Sequence, residues 1–238
     1  MKELIDKIKQ KGYWKIIIRP TNYDDNLISS LDECEKLITE SQVSLRGWNY
    51  PHIDPQGFVR PCENSTSSYC NWPEGPMYEY WRFYKTGQFV HIFALREDLR
   101  IDEKKIKEFQ SEYSTQATKY LSILSTLYSI TEIFEFASRL FSKLDKAKGA
   151  EIIIELHDVQ GRVLMFWDTF ARTLYKAYTC NYENNIIKKE IKLSREDLIK
   201  NSSKISLDIA IDIFSSFGMV AKKEIFGEDQ KKLLERRL

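Results

Sequence analysis

Tyr78–Arg96 reads YEYWRFYKTGQFVHIFALR, and its alternation sets the fold class. Apolar and polar residues alternate on both sides of Thr86-Gly87, the pattern of two antiparallel strands joined by a tight turn. With a two-residue turn, Tyr84 would face Phe89, Arg82 would face His91 and Tyr80 would face Phe93. One side would then be aromatic and basic together. Trp81, Phe83, Val90 and Ile92 would form a conventional core face on the other side.

Outward from this hairpin, Tyr13–Arg19 (YWKIIIR) is a β-branched run stopped by Pro20, and Val43–Trp48 reads as another strand. Asn49–Pro76 is rich in Pro, Ser, Asn and Gly and reads as a long irregular loop, a kind of segment that often carries function. Glu151–Asp168 reads as a second hairpin turning at Asp158–Gly161, and Asn185–Leu193 as a strand. Helical patterns cover Lys2–Gln10, Asn26–Ser41, Ile101–Tyr113, Thr169–Tyr178, Ile205–Phe217 and Asp229–Leu238. Thr115–Leu144 is apolar nearly all round, so a long buried helix is expected there. Ser194-x-x-Asp197 has the form of a helix cap, and Gly218 that of a helix stop. The expected fold is α+β, with antiparallel hairpins, a long buried helix and segregated helices. Residues 1–113 would form an N-terminal region and 114–238 a C-terminal one, or the two would make one continuous domain.

Composition limits function. The chain has 36 Lys and Arg against 35 Asp and Glu, so any basic surface must come from local segregation of charge. Basic residues cluster at Lys7, Lys9, Lys11 and Lys15, at Lys188, Lys189, Lys192 and Arg195, and at Lys231, Lys232, Arg236 and Arg237. Two such clusters beside Arg46 and Arg82 would make a phosphate-tracking groove. The charged opening MKELIDKIKQK is not a signal peptide, and no run of about 18 apolar residues exists. A cytoplasmic chain without a transmembrane segment is expected.

No phosphate loop, dinucleotide fingerprint or nucleophile elbow is present. His52, His91 and His157 are dispersed, and Cys34, Cys62, Cys70 and Cys180 lack zinc-site spacing. The reading is therefore no metal, no cofactor and no catalytic set, with a Cys62–Cys70 disulfide left open. Cys34 falls on the apolar stripe of its helix and suits packing. The alternative is a small metal-dependent nuclease using Asp158, Asp168, Glu190 and Lys192, because Glu190-Ile191-Lys192 has Glu-x-Lys spacing. The interleaved arginines and aromatics favour recognition. Arg46, Trp48, His52, Tyr80, Arg82 and His91 are expected to line one nucleic-acid-binding surface, RNA or DNA, with the arginines on phosphates and Trp48 and Tyr80 stacking. The rival reading buries Arg46 and Arg82 against carboxylates such as Glu79 or Asp54. Tyr78, Tyr84 and Phe93 are candidates for a partner interface.

LRGWNYPHI (Leu45–Ile53) and EYWRFYKTGQFVH (Glu79–His91) resemble a prokaryotic family in which an RGW-[NDF]-[YF]-P-H element precedes a WRFY-x-x-GQF hairpin. GRVLMF (Gly161–Phe166) and FSSFGM (Phe214–Met219) fit the same pattern. The family occurs attached to Schlafen-like (AlbA-type) nucleic-acid-associated domains in defence-type proteins. Its motifs carry no catalytic role, so the resemblance implies no catalytic residues. This chain has no Schlafen-like domain, which implies a stand-alone subunit whose effector is a separately encoded protein. The arrangement is similar to that of the accessory subunits of short prokaryotic Argonautes, as an analogy of architecture.

Overall fold

The computed structural model describes every residue except Pro76, Ile101, the segment 167–171 and Leu238. The fold is α+β. In chain order the elements are α1 (Lys2–Lys9), β1 (Tyr13–Pro20), α2 (Leu31–Ser41), β2 (Val43–Ser44), β3 (Asn49–Tyr50), β4 (Val59–Cys62), β5 (Ser65–Trp72), β6 (Met77–Tyr84) and β7 (Phe89–Ala94). A 3-10 turn, Arg96–Asp98, leads to α3 (Glu103–Glu112), β8 (Tyr120–Ser122), α4 (Ile123–Lys143), β9 (Gly149–His157), β10 (Val163–Met165), β11 (Ile186–Ser194), α5 (Arg195–Ser215) and α6 (Lys223–Leu234).

Seven strands form one antiparallel sheet in the order β11-β9-β1-β7-β6-β5-β4. The β-branched run of β1 sits near its middle, paired with β7 on one side and β9 on the other. Strand alternation gives the sheet two unlike faces. Trp14, Ile16, Ile18, Trp81, Phe83, Phe89, Ile152 and Ile154 point to the inner face and are buried. There the apolar α4 packs with α2 and α5 over the sheet. On the outer face, α1 lays Leu4 and Ile8 over Ile92 and Ala94. Beyond α1 that face carries cross-strand ion pairs, among them Lys15–Glu155 at 3.1 Å and Lys192–Glu151 at 3.2 Å. Among the described residues no helix is long and apolar enough to cross a membrane.

Several expectations need correction. The β6–β7 turn has three residues, Lys85–Gly87, with Gly87 at φ +79° and bonds Gly87 N–H to Tyr84 O (2.8 Å) and Tyr84 N–H to Gln88 O (2.9 Å). The register is therefore Trp81 opposite His91 and Tyr80 opposite Ile92, one residue away from the two-residue-turn pairing. His91 and Phe93 consequently face the core with Trp81, whereas Tyr80, Arg82 and Tyr84 face outward.

The long loop contains a strand pair, β4 with β5. β5 buries Ser65, Thr66, Ser67 and Ser68, whose hydroxyls bond to backbone and side-chain partners such as Val59 O and Glu35. Cys62 and Cys70 within it are free thiols. No second hairpin forms at Asp158–Gly161. Both edges of β9 are taken by β1 and β11, so β10 pairs instead with β8, in parallel. The helix expected from Thr115 starts at Ile123, after β8, with the Ser122 side chain capping it. The helix expected over Thr169–Tyr178 begins outside the described residues, and Arg172–Tyr178 is not helical. Ser194 caps α5 as expected, by accepting the Asp197 N–H at 3.0 Å.

Candidate anion-binding cleft

A cleft of about 750 Å³ opens at one end of α4. Its walls come from five places: the β2–β3 turn, the 3-10 turn with Arg100, the first turns of α4, the segment at Arg172, and the end of α6. Gly47, at φ +83°, turns the chain so that Arg46 and Trp48 both reach the cleft. Seven basic side chains line it, Arg46, Arg96, Arg100, Arg172, Lys232, Arg236 and Arg237, against two carboxylates, Glu97 and Asp229. Trp48 and Tyr128 supply aromatic surface, and Ser122 and Ser125 bring the N-terminal turn of α4 to the wall. The positive end of a long helix dipole adds to the field of the arginines.

The cations fall into two kinds. Arg46 is bound to the buried Glu132, with Nε donating to Oε1 at 3.1 Å and Nη2 to Oε2 at 2.5 Å. Arg172 is similarly bound to Asp229, and Arg237 pairs with Glu235. Arg96, Arg100, Lys232 and Arg236 have no ion-pair partner among the described residues. Arg96 lies 3.9 Å from the centroid of Trp48, with Arg46 at 4.9 Å from the same ring. Burial, and then the neighbouring Arg46 charge, lower the Arg96 pKa, as expected where positive charge is in excess. The Glu97 carboxylate accepts the Ser122 N–H at 2.7 Å, and burial raises its pKa.

A smaller chamber of about 60 Å³ lies beneath, sharing Arg46, Trp48, Arg96, Glu97 and Ser125 with the cleft. Tyr50, Glu79, His91, Thr126 and Glu132 line its inner part. His91 Nδ1 lies 3.1 Å from the Tyr50 hydroxyl, and Nε2 lies 3.4 Å from Glu79 Oε2.

The six residues expected on one surface are thus divided. Arg46 and Trp48 line the cleft, and His91 lines the chamber. His52 neighbours them through its backbone, donating its N–H to Glu79 and accepting from Trp81 Nε1 at its carbonyl. Tyr80 and Arg82 lie across the sheet on the outer face, where Arg82 Nε donates to the Tyr80 hydroxyl at 3.0 Å. Of the rival carboxylate pairing, Arg46 is paired, though with Glu132 rather than Glu79 or Asp54. The interface candidates divide too. Tyr84 is outward beside Arg82, Phe93 faces the chamber, and Tyr78 lines the chamber and packs beside the α1 cluster.

Of the nuclease alternative, Asp168 lies outside the described residues. Asp158 is held by Lys119 at 2.6 Å and Arg162, and Glu190 by Lys188 at 2.9 Å. Asp158 adjoins the His157 end of β9, which pairs with Ile186, four residues and about 13 Å along β11 from Glu190. No group of three candidate metal ligands exists among the described residues. Arg96, Arg100, Arg172 and Glu132 were not anticipated. The four-residue spacing in Leu95–Arg100 (LREDLR) was a usable signal for the first two, because it puts both arginines on one side of a helical turn. The C-terminal cluster, by contrast, does reach Arg46, through Lys232, Arg236 and Arg237.

Comparisons with protein-family models, curated proteins and solved structures give no match.

Proposed function

We propose that this chain is a nucleic-acid-binding, non-catalytic accessory subunit that works with a separately encoded protein in a prokaryotic defence-type complex, as an accessory protein does for a short Argonaute. The observation that carries the binding part is the segregation of seven cations against two carboxylates around Trp48 and Tyr128, in a chain of net charge +1. Arginine on phosphate and an aromatic ring under a base are how single strands are held without regard to sequence. The carboxylates around the cleft are already engaged, Asp229 by Arg172, Glu132 by Arg46 and Glu97 by the Ser122 N–H, which suits holding a ligand rather than moving its protons. The partner and the defence setting rest on the family resemblance.

Fluorescence anisotropy with labelled single-stranded RNA and DNA across a salt series tests the binding. The triple variant Arg100→Ala, Lys232→Ala, Arg236→Ala removes exposed cations that hold no ion pair among the described residues. It should keep its melting temperature, bind more weakly, and flatten the salt dependence by about two units of slope. Unchanged affinity and slope would reject the cleft as the binding site. Co-purification with the products of neighbouring genes tests the partner, and a chain that captures none of them counts against it.

A further inference from the structure

We propose that the chamber beneath the cleft is a subsite for the free cis-diol of a 3′-terminal ribose, so that the protein selects RNA strands by their end. This rests on the cleft binding nucleic acid and adds what the chamber recognises. Two buried polar atoms of residues that line the chamber, His91 Nε2 and Thr126 Oγ1, make no hydrogen bond, the Glu79 carboxylate standing 3.4 Å from Nε2. Such atoms are rare in folded proteins, and leaving them unsatisfied is destabilising. Both are recovered if a ligand group enters.

The chamber's chemistry says which group. Burial, with Glu79 and then Glu132 nearby, raises the Tyr50 pKa well above the usual range, so its hydroxyl stays protonated and can donate to His91 Nδ1. That puts the imidazole proton on Nε2, beside Glu79 Oε2 at 3.4 Å, where one ligand hydroxyl could meet both. Glu79 Oε2 is an acceptor, and Thr126 can act either way. A group that both donates and accepts is required, and a hydroxyl is the smallest. About 60 Å³ is roughly the liquid volume of two waters, room for the hydroxyl edge of a sugar and not for a base. Phosphate is disfavoured there by Glu79 and Glu132, while the arginines above attract it. Internal nucleotides carry phosphate at both sugar oxygens, whereas a 3′-terminal ribose presents two free hydroxyls, with its phosphate left behind among the arginines. A carboxylate paired with ribose hydroxyls recurs in nucleotide sites, and the 2′-hydroxyl is what separates RNA from DNA.

The test compares one RNA oligonucleotide ending in ribose, in 2′-deoxyribose or in a 3′-phosphate, by anisotropy against the whole protein. The ribose end should bind about tenfold more tightly than the other two. Thr126→Val should fold normally and erase most of that preference with the salt slope unchanged, and Thr126→Ser should retain it. Equal affinity for the three ends, with salt-dependent binding intact, overturns the subsite and leaves the cleft reading standing; the chamber then holds water only. A preference that survives in Thr126→Val also overturns the assignment. Failure of every oligonucleotide to bind removes both proposals.

Discussion

Arg46 and Glu132 show how one contact serves both stability and the shape of the cleft wall. Glu132 has 1% of its side chain exposed and Arg46 12%, so the pair is desolvated and each partner depends on the other. Arg46→Ala should lower stability by about 3 kcal/mol or more, since an uncompensated carboxylate stays behind. Chemical denaturation of Arg46→Ala beside the double variant Arg46→Met, Glu132→Leu checks this, with the double variant recovering most of the loss. Glu97 has the opposite sign. Burial raises its folded pKa above the ordinary 4.5, so the native state holds that proton more tightly than the unfolded chain does. Its stabilising effect is complete below the ordinary value and disappears as pH rises through the raised one. Glu97→Gln should therefore melt higher than wild type at pH 7 and lose that advantage near pH 4. The same change should strengthen oligonucleotide binding at neutral pH, because one negative charge leaves the cleft.

Among the elements, the turns decide more than the strands. Gly87 has positive φ, and a Cβ there would sit 2.8 Å from Leu27 Cδ2 and 2.9 Å from Pro20 Cγ. Gly161 also has positive φ but has nothing within 4 Å. Gly161→Ala should cost about 1–2 kcal/mol for the left-handed backbone alone. Gly87→Ala should cost more, as urea midpoints of the two variants would show. That turn also explains what was legible in the sequence. The strands of β6 and β7 were plain from alternation, and with them the α+β class. Their register was not, because a two-residue and a three-residue turn can both contain Thr86-Gly87, and the single step moves His91 and Phe93 to the core. β5 was hidden for another reason: its buried residues are serines and a threonine, satisfied by hydrogen bonds that no hydrophobic pattern reveals. Arg46 and Trp48 could be singled out from composition, and both line the cleft. Arg172 and Lys232 could not be joined to them, because only the tertiary fold brings the end of α6 to the β2–β3 turn.

Over the whole molecule, the N-terminal and C-terminal regions are bound into one structure. β1 lies between β7 and β9, and the fully buried Arg162 bonds to both oxygens of Asp98 at 2.7 and 2.8 Å and to the Tyr120 carbonyl. Asp98 in turn accepts the Gly12 N–H at 2.7 Å. Arg162→Leu should destabilise both regions together by about 3–5 kcal/mol. Tryptophan fluorescence weights the N-terminal region, which holds four of the five tryptophans, and far-UV circular dichroism weights the helices of the C-terminal one. The two signals should melt at one temperature in wild type and variant alike, and separate transitions would show that the regions unfold independently. The central place of β1 has a consequence for the chain's birth. Lys15 meets Glu155 across 140 positions of sequence, so β1 leaves the ribosome long before the strand that covers one of its edges. At ordinary elongation rates of about 5–20 residues per second, a β-branched edge waits for many seconds uncovered. Nascent chains stalled before β9 should therefore be the ones that recruit chaperones or aggregate, and release from both should follow the synthesis of residues 149–157.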